Sequence, residues 1–398
     1  MVKKSSFTRS AIGLVALSLV ITGKLFAQKS DTGHIAVTKF VTIHSTILNE
    51  DRKLHIYTPA VMGDSSFNNE PMPVLYVMDA EALSALVSSQ VNYLSINYGL
   101  LPRMIVVSTC NYSYDRIHDL TPTHFITGYE GKPDSSFKTS GGGEKFLQFM
   151  REEVIPYVEK HYKTQPFRVF AGHSLGGLMT TYCLFHYPDM FNAYLAISPA
   201  LWVNNDAGVA DAASKMKSPI AEKKFFFMSD GNEGERFHTP VAKLDSLISS
   251  KKLTNFNYQF IHYNDESHGS EPVKAFYDGL RLIYRRYELS PADTTALSIQ
   301  KHYSDLAAAY GYHLLPPEVD INAIAYYWLS KSWKMDDAIA LFRMNTISYP
   351  MSFNAYDSLG DGYAKKGDKV KAIENYRKAI ALKPDLESTR KKLAKMTQ

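Results

Sequence analysis

Cysteine is almost absent from this 398-residue chain: Cys110 and Cys183 are all there is. That excludes a disulfide framework, and both residues read as buried thiols, Cys110 closing a core strand and Cys183 sitting on a helix. No histidine or cysteine cluster has metal-ligand spacing, and no glycine-rich loop could cradle a phosphate. The expected chemistry therefore needs no cofactor and no metal. A long apolar run is also missing. The longest near the amino terminus, Ala11 to Ile21, covers eleven residues, against roughly twenty for a membrane span. Lys3, Lys4 and Arg9 precede it, and Leu25-Phe-Ala27 follows as a cleavage site, so residues 1–27 read as a signal peptide without a stable membrane anchor. No lipobox cysteine follows. An excess of either charge is lacking too: without residues 1–27 the balance is 40 basic to 40 acidic residues. Nothing there points to nucleic acid or to a charged membrane surface. The expected location is exported, periplasmic or extracellular.

The strongest positive feature is Arg168-Val-Phe-Ala-Gly-His-Ser-Leu-Gly-Gly177. A serine stands between glycines after a strand-like run and before Leu178 to His186, which has helical apolar spacing. This is the G-x-S-x-G nucleophile elbow with Ser174 at its tip. Gly172 and Gly176 are expected to make room for the close strand-helix approach, and the amide of Leu175 to receive an oxyanion. Later segments follow the order serine, acid, histidine. Lys224 to Ser229 reads as a strand running into the acidic turn Asp230 to Glu235, and Phe256 to His262 as a strand leading to His268 and then a helix from Val273 to Tyr287. His268 is the expected base. Asp230, Glu233 and Glu235 compete for the acid, with Glu233 favoured. A second oxyanion donor is expected after the strand Pro73 to Asp79, from the amide of Ala80 or Glu81.

These residues resemble the putative-esterase family of α/β-hydrolases, which includes enterobactin and ferri-bacillibactin esterases, feruloyl esterases, S-formylglutathione hydrolase and mycolyltransferases. The likeness rests on Leu54-His-Ile-Tyr-Thr-Pro59, Val74 to Asp79, Asp115 to Pro122, Gly172 to Gly177, Ile197 to Trp202 and Glu266 to Ser270. It implies an ester-cleaving serine enzyme with Ser174 as nucleophile and His268 as base. The chain departs from the pattern at Ala80, where relatives often have glycine, and at His118, where they often carry a second arginine. Arg116 matches and is a candidate to meet a substrate carboxylate or catecholate, with an internal ion pair to Asp119 as the alternative. Trp202 is a candidate to line the substrate pocket.

Beyond Ser290 to Thr295 the pattern turns helical. Asp337 to Phe342 and Lys371 to Tyr376 lie 34 residues apart, as do Pro350 and Pro384. That period resembles tetratricopeptide repeats, with Trp333 where the better copy has Gly367. The expected organisation is an α/β-hydrolase domain with a mostly parallel sheet over residues 28–289, a linker and helical connector over 290–320, and a small all-α region over 321–398. That region is read as a groove for a protein partner or as a packing appendage that stabilises or shades the active site. The expected substrate is a small-molecule or polysaccharide-linked ester. The competing readings are an acyltransferase of the same fold and a catalytically dead scaffold that binds a partner through the repeats.

Overall fold

The computed structural model describes residues 38–59, 71–128, 131–216, 220, 222–312 and 314–397. The expected signal peptide lies outside them. The strands are β1 (Thr38–Ser45), β2 (Glu50–Tyr57), β3 (Met72–Val77), β4 (Ile105–Thr109), β5 (Thr164–His173), β6 (Ala193–Ile197), β7 (Lys224–Gly231) and β8 (Phe256–Tyr263). They form one sheet in the order β1-β2-β4-β3-β5-β6-β7-β8. Pairing is antiparallel from β1 through β2 to β4 and parallel from β4 to β8. Strands β4, β6 and β7 are buried at every residue, as a parallel sheet covered on both faces requires.

The helices are α1 (Ala80–Asn92), α2 (Arg116–Asp119), α3 (Gly143–Phe149), α4 (Ile155–His161), α5 (Leu175–His186), α6 (Val203–Lys215), α7 (Glu235–Lys251), α8 (Glu271–Ile283), α9 (Ala296–Tyr310), α10 (Glu318–Leu329), α11 (Met335–Ser348), α12 (Phe353–Lys366), α13 (Lys369–Leu382) and α14 (Glu387–Thr397). The strand period of two sends Leu75, Val77, Ala171, Leu195 and Phe227 to the face that α1 and α8 cover. Val74, Tyr76, Phe170, Ala196 and Phe226 point to the other face, beneath α3 to α7.

Helices α9 to α13 continue the first of these cores. Tyr310 lies 5.5 Å from Phe167 and 6.0 Å from Phe225, ring centre to ring centre, and Tyr312 lies 5.4 Å from Phe167. Phe167 and Phe225 stand near the starts of β5 and β7, so the helical segment is anchored at the amino ends of the strands. The serine elbow is at their carboxyl ends. Within the segment, Gly367 ends α12 at φ 86°, whereas a short 3₁₀ turn, Ser332–Lys334, carries the exposed Trp333 between α10 and α11.

The approach of α5 to the sheet corrects one expectation about glycine. A methyl on Gly172 would lie 2.4 Å from the carbonyl carbon of Gly176, and one on Gly177 would lie 2.8 Å from the carbonyl oxygen of Ile197. A methyl on Gly176 would have only ordinary contacts, 3.5 Å and beyond. The close approach is made at Gly172 and Gly177, because it is the backbone of Gly176, not its missing side chain, that presses on β5. Gly172→Ala is expected to lose about 3 kcal/mol or more of stability and Gly176→Ala less than about 1 kcal/mol, read by urea unfolding.

Candidate active site

Ser174 sits between β5 and α5 at φ 61°, ψ −119°, a conformation that costs of order 1–3 kcal/mol outside glycine. Three backbone hydrogen bonds hold it there. Its amide donates to Ile197 O at 3.0 Å, and its carbonyl accepts from the amides of Leu178 and Ala200, each at 3.0 Å. The strain is thus fixed from β6 and from α5, and the side chain opens on a cavity of about 350 Å³.

The same cavity is lined by Glu233 and His268. Glu233 lies on the turn after β7 and His268 on the loop after β8, and the two loops are pinned together: the amide of Asn232 donates to Glu266 O at 2.7 Å. Lys274 of α8 fixes the second loop from outside through Asp265 at 2.7 Å and Glu266 at 2.6 Å. His268 Nδ1 stands 2.7 Å from Glu233 Oε2, at ion-pair distance although off the line of a straight hydrogen bond. Burial tends to raise the Glu233 pKa, but the adjacent His268 and a hydrogen bond from Ser198 outweigh it and hold the carboxyl below its ordinary value. Glu233 therefore stays an anion beside the imidazole.

The other two acids have different partners, although Asp230 also lines the cavity. Strand β7 runs two residues further than the sequence suggests, so Asp230 lies on the strand and not on the turn. Its two oxygens meet His238 Nδ1 at 2.6 Å and His262 Nδ1 at 2.7 Å. Among the described residues these three could offer atoms to a metal. However, the nitrogen-oxygen separations are hydrogen-bond lengths, shorter than the roughly 3.3 Å between two ligands of one tetrahedral zinc with bonds of about 2.0 Å. Glu235 opens α7 and accepts a hydrogen bond from Thr239 at 3.3 Å.

Leu175 and Ala80 are the first residues of α5 and α1. Their side chains are buried in the core, which leaves only their amides for an oxyanion, and neither residue is among those that line the cavity. The neighbouring donors at the second helix are taken: the amide of Asp79 donates to Asn111 Oδ1 at 3.1 Å, and Glu81 folds its carboxylate back on its own amide. Asp79 itself adopts the left-handed conformation, φ 59°, so the turn needs no glycine at position 80.

Arg116 is not paired with Asp119. It holds Asp79 through two hydrogen bonds of 2.8 Å each, while the wholly buried Asp119 is gripped by Arg52 at 2.6 and 3.0 Å. Sequence proximity favoured the wrong partner because α2 is a single turn that aims Arg116 at the start of α1. Trp202 is buried, lines the cavity and packs edge to face on Phe237 at 5.7 Å. Among the described residues none after His268 lines this cavity, so α9 to α14 do not shade it.

Three further residues join the site without a sequence signal. His173 packs on His268 with the rings tilted by 40° and 4.2 Å between ring centres, and burial, reinforced by the nearby His268 and Arg116, brings its pKa down to about 3. Ser198, at φ 36°, donates toward Glu233 Oε1 at 2.5 Å. Glu271, fully buried, reaches Ser198 from the first turn of α8. His173 has a consequence for acid stability. The unfolded imidazole gains its proton near pH 6.5 and the folded one only near 3, so the stability present above 6.5 is lost as pH falls through that window. His173→Gln is expected to recover a few kcal/mol of the loss between pH 7 and pH 4, visible as a flatter Tm against pH.

The putative esterase family matches residues 45–278, more than half of the chain. The chain belongs to the putative esterase family of carboxylic ester hydrolases. Within it, the chain is 40% identical over 206 residues to the siderophore enterobactin esterase of Emericella nidulans, covering 43% of this chain and 67% of that one. It is 30% identical over 167 residues to the ferri-bacillibactin esterase BesA of Bacillus subtilis, covering 39% and 56%. The chain thus spans two thirds of the first relative's length and little more than half of the second's. An IroE-like serine hydrolase from Shewanella oneidensis has the same fold, with a TM-score of 0.71 over 78% of this chain and 99% of that one, at 21% identity.

Proposed function

We propose that this putative-esterase family member hydrolyses a carboxylic ester through an acyl-enzyme on Ser174, with His268 as general base and Glu233 as the acid that orients it. The observation that carries the reading is the His268–Glu233 pair, 2.7 Å apart, opening on the same cavity as the strained Ser174. Ser174 Oγ attacks the ester carbonyl as His268 takes its proton. The oxyanion is received by the amides of Leu175 and Ala80, and His268 then protonates the departing alkoxide. Water activated by the same imidazole releases the acid and frees Ser174. Glu233 keeps the Nδ1 proton in place and stabilises the imidazolium.

The pocket wall of Pro199, Trp202, Phe237 and Val241 is apolar and suits an aromatic ring carried on the substrate. Together with relatives named for siderophores, this favours a catecholate-bearing lactone of the siderophore type over acetylated polysaccharide. The amino-terminal segment supports export, and among the described residues no helix is long and apolar enough to cross a membrane. The test compares kcat/KM for a tricatecholate serine trilactone, a feruloyl ester and p-nitrophenyl butyrate. The trilactone is expected to lead by at least about tenfold, the worth of one well-made contact; parity with the butyrate would reject the substrate class while leaving the esterase reading intact.

A further inference from the structure

Behind Glu233 lies a second carboxyl group that the triad chemistry does not require. Glu271 is wholly buried at the start of α8, and Ser198 Oγ stands between the two acids, within hydrogen-bond reach of Glu271 Oε2 and 2.5 Å from Glu233 Oε1. Ser198 is held at φ 36° between the end of β6 and Pro199, and its amide donates to Ser229 O at 2.9 Å. A non-glycine residue in that backbone region is uncommon, and here it aims one hydroxyl at two carboxyl groups.

Counting protons decides the direction of this chain. A serine hydroxyl has a single hydrogen to donate, and two carboxylates facing its oxygen would leave one of them unsatisfied. The contacts are all satisfied only if one acid carries a proton and donates it to Ser198 Oγ, while Ser198 donates to the other. Glu233 also faces His268 and is the one that must stay charged, so the proton belongs on Glu271. We infer that Glu271 is a positioning residue, a neutral carboxylic acid that donates to Ser198 and, through it, holds Glu233 charged and aimed at His268. The inference rests on the proposed triad.

Electrostatics agrees with the geometry. Burial, aided by the nearby charges of Glu233 and Asp230 and opposed by hydrogen bonds from Ser198 and Ser229, pushes the Glu271 pKa up to about 7. Its remaining oxygen, Oε1, has no hydrogen bond of good geometry, although Ser229 faces it. The ionisable groups that face it are Glu233 and Asp230 from the region of β7 and Tyr263 from the end of β8. Ionisation of Glu271 would bring a second anion against Glu233 and break the chain of donors. Activity is therefore expected to fall on an alkaline limb beginning near neutrality. A glutamine at 271 keeps a donor for Ser198 at every pH and has no such limb; a leucine has no donor at all.

The experiment measures kcat and KM for p-nitrophenyl butyrate from pH 5 to 9 in the wild-type protein, Glu271→Gln, Glu271→Leu, Ser198→Ala and Ser174→Ala. Glu271→Leu and Ser198→Ala are expected to lose about 10- to 100-fold in kcat, the worth of a hydrogen bond to a charged group, with KM changed less than about twofold. Glu271→Gln is expected to stay within about threefold of wild type at pH 6 and to remain flat above pH 7. Superimposable pH profiles for wild type and Glu271→Gln, or a Glu271→Gln as damaged as Glu271→Leu, would overturn the positioning role. If Glu271→Leu does not fold, Ser198→Ala and Glu271→Gln still decide. Turnover retained in Ser174→Ala would instead refute the triad itself, so the two failures are told apart.

Discussion

Ser174→Ala is expected to lower kcat/KM for p-nitrophenyl butyrate by about 10⁴-fold or more, because the other serines lining the cavity, Ser198 and Ser267, are hydrogen-bonded to Glu233 and Ser270 and neither sits at the strand-helix elbow. The fold is expected to survive intact. The hydrogen bonds that fix position 174 come from its backbone, to Ile197, Leu178 and Ala200, and alanine retains all of them. Alanine also carries the same backbone strain at φ 61°, so the urea midpoint is expected to shift by less than about 1 kcal/mol equivalent. A loss of activity accompanied by a large loss of stability would point to a structural serine.

The second large effect separates the three acids. Glu233→Gln is expected to cost about 10³- to 10⁴-fold in kcat, since the amide can keep the geometry near His268 Nδ1 but supplies no charge and permits the wrong tautomer. Glu235→Gln, on the exposed first turn of α7, is expected to stay within about threefold. Asp230→Asn is expected to act on stability instead, by about 2 kcal/mol, because a buried carboxylate that accepts from both His238 and His262 is replaced by a group that can accept through one oxygen only. Kinetics and urea unfolding on the three variants separate a catalytic carboxylate from a structural one.

Much of the sheet was legible because its strands are short apolar runs bounded by turn residues, and the nucleophile elbow was legible because a serine flanked by glycines stands between a strand-like and a helix-like run. That the loops carrying Glu233 and His268 would follow successive strands could be read from order along the chain, and the two side chains do meet at 2.7 Å. The choice between Glu233 and Asp230 turned on where β7 ends, and a difference of two residues moves a side chain from a strand onto a turn. Arg116 shows a different limit. Its carboxylate partner lies 37 positions away on another element, and residue spacing favours the neighbour Asp119, which the sheet has already given to Arg52. Glu271 and Ser198 were invisible for a third reason. A glutamate before Pro272 at a helix start looks like an ordinary solvated acid that complements the helix dipole, and only the packing of α8 against the ends of β6 and β7 buries it. That the segment after Tyr287 is helical was readable from its apolar spacing, but which end of the sheet it braces depends on aromatic contacts of Phe167 and Phe225 that no periodicity encodes.

Fluorophosphonate labelling followed by peptide mass spectrometry decides whether Ser174 is the nucleophile. One adduct is expected, on the peptide containing Ser174, formed in parallel with loss of ester hydrolysis and absent in His268→Ala over the same exposure. A folded protein that hydrolyses esters without that adduct, or that is labelled on a different residue, would contradict it.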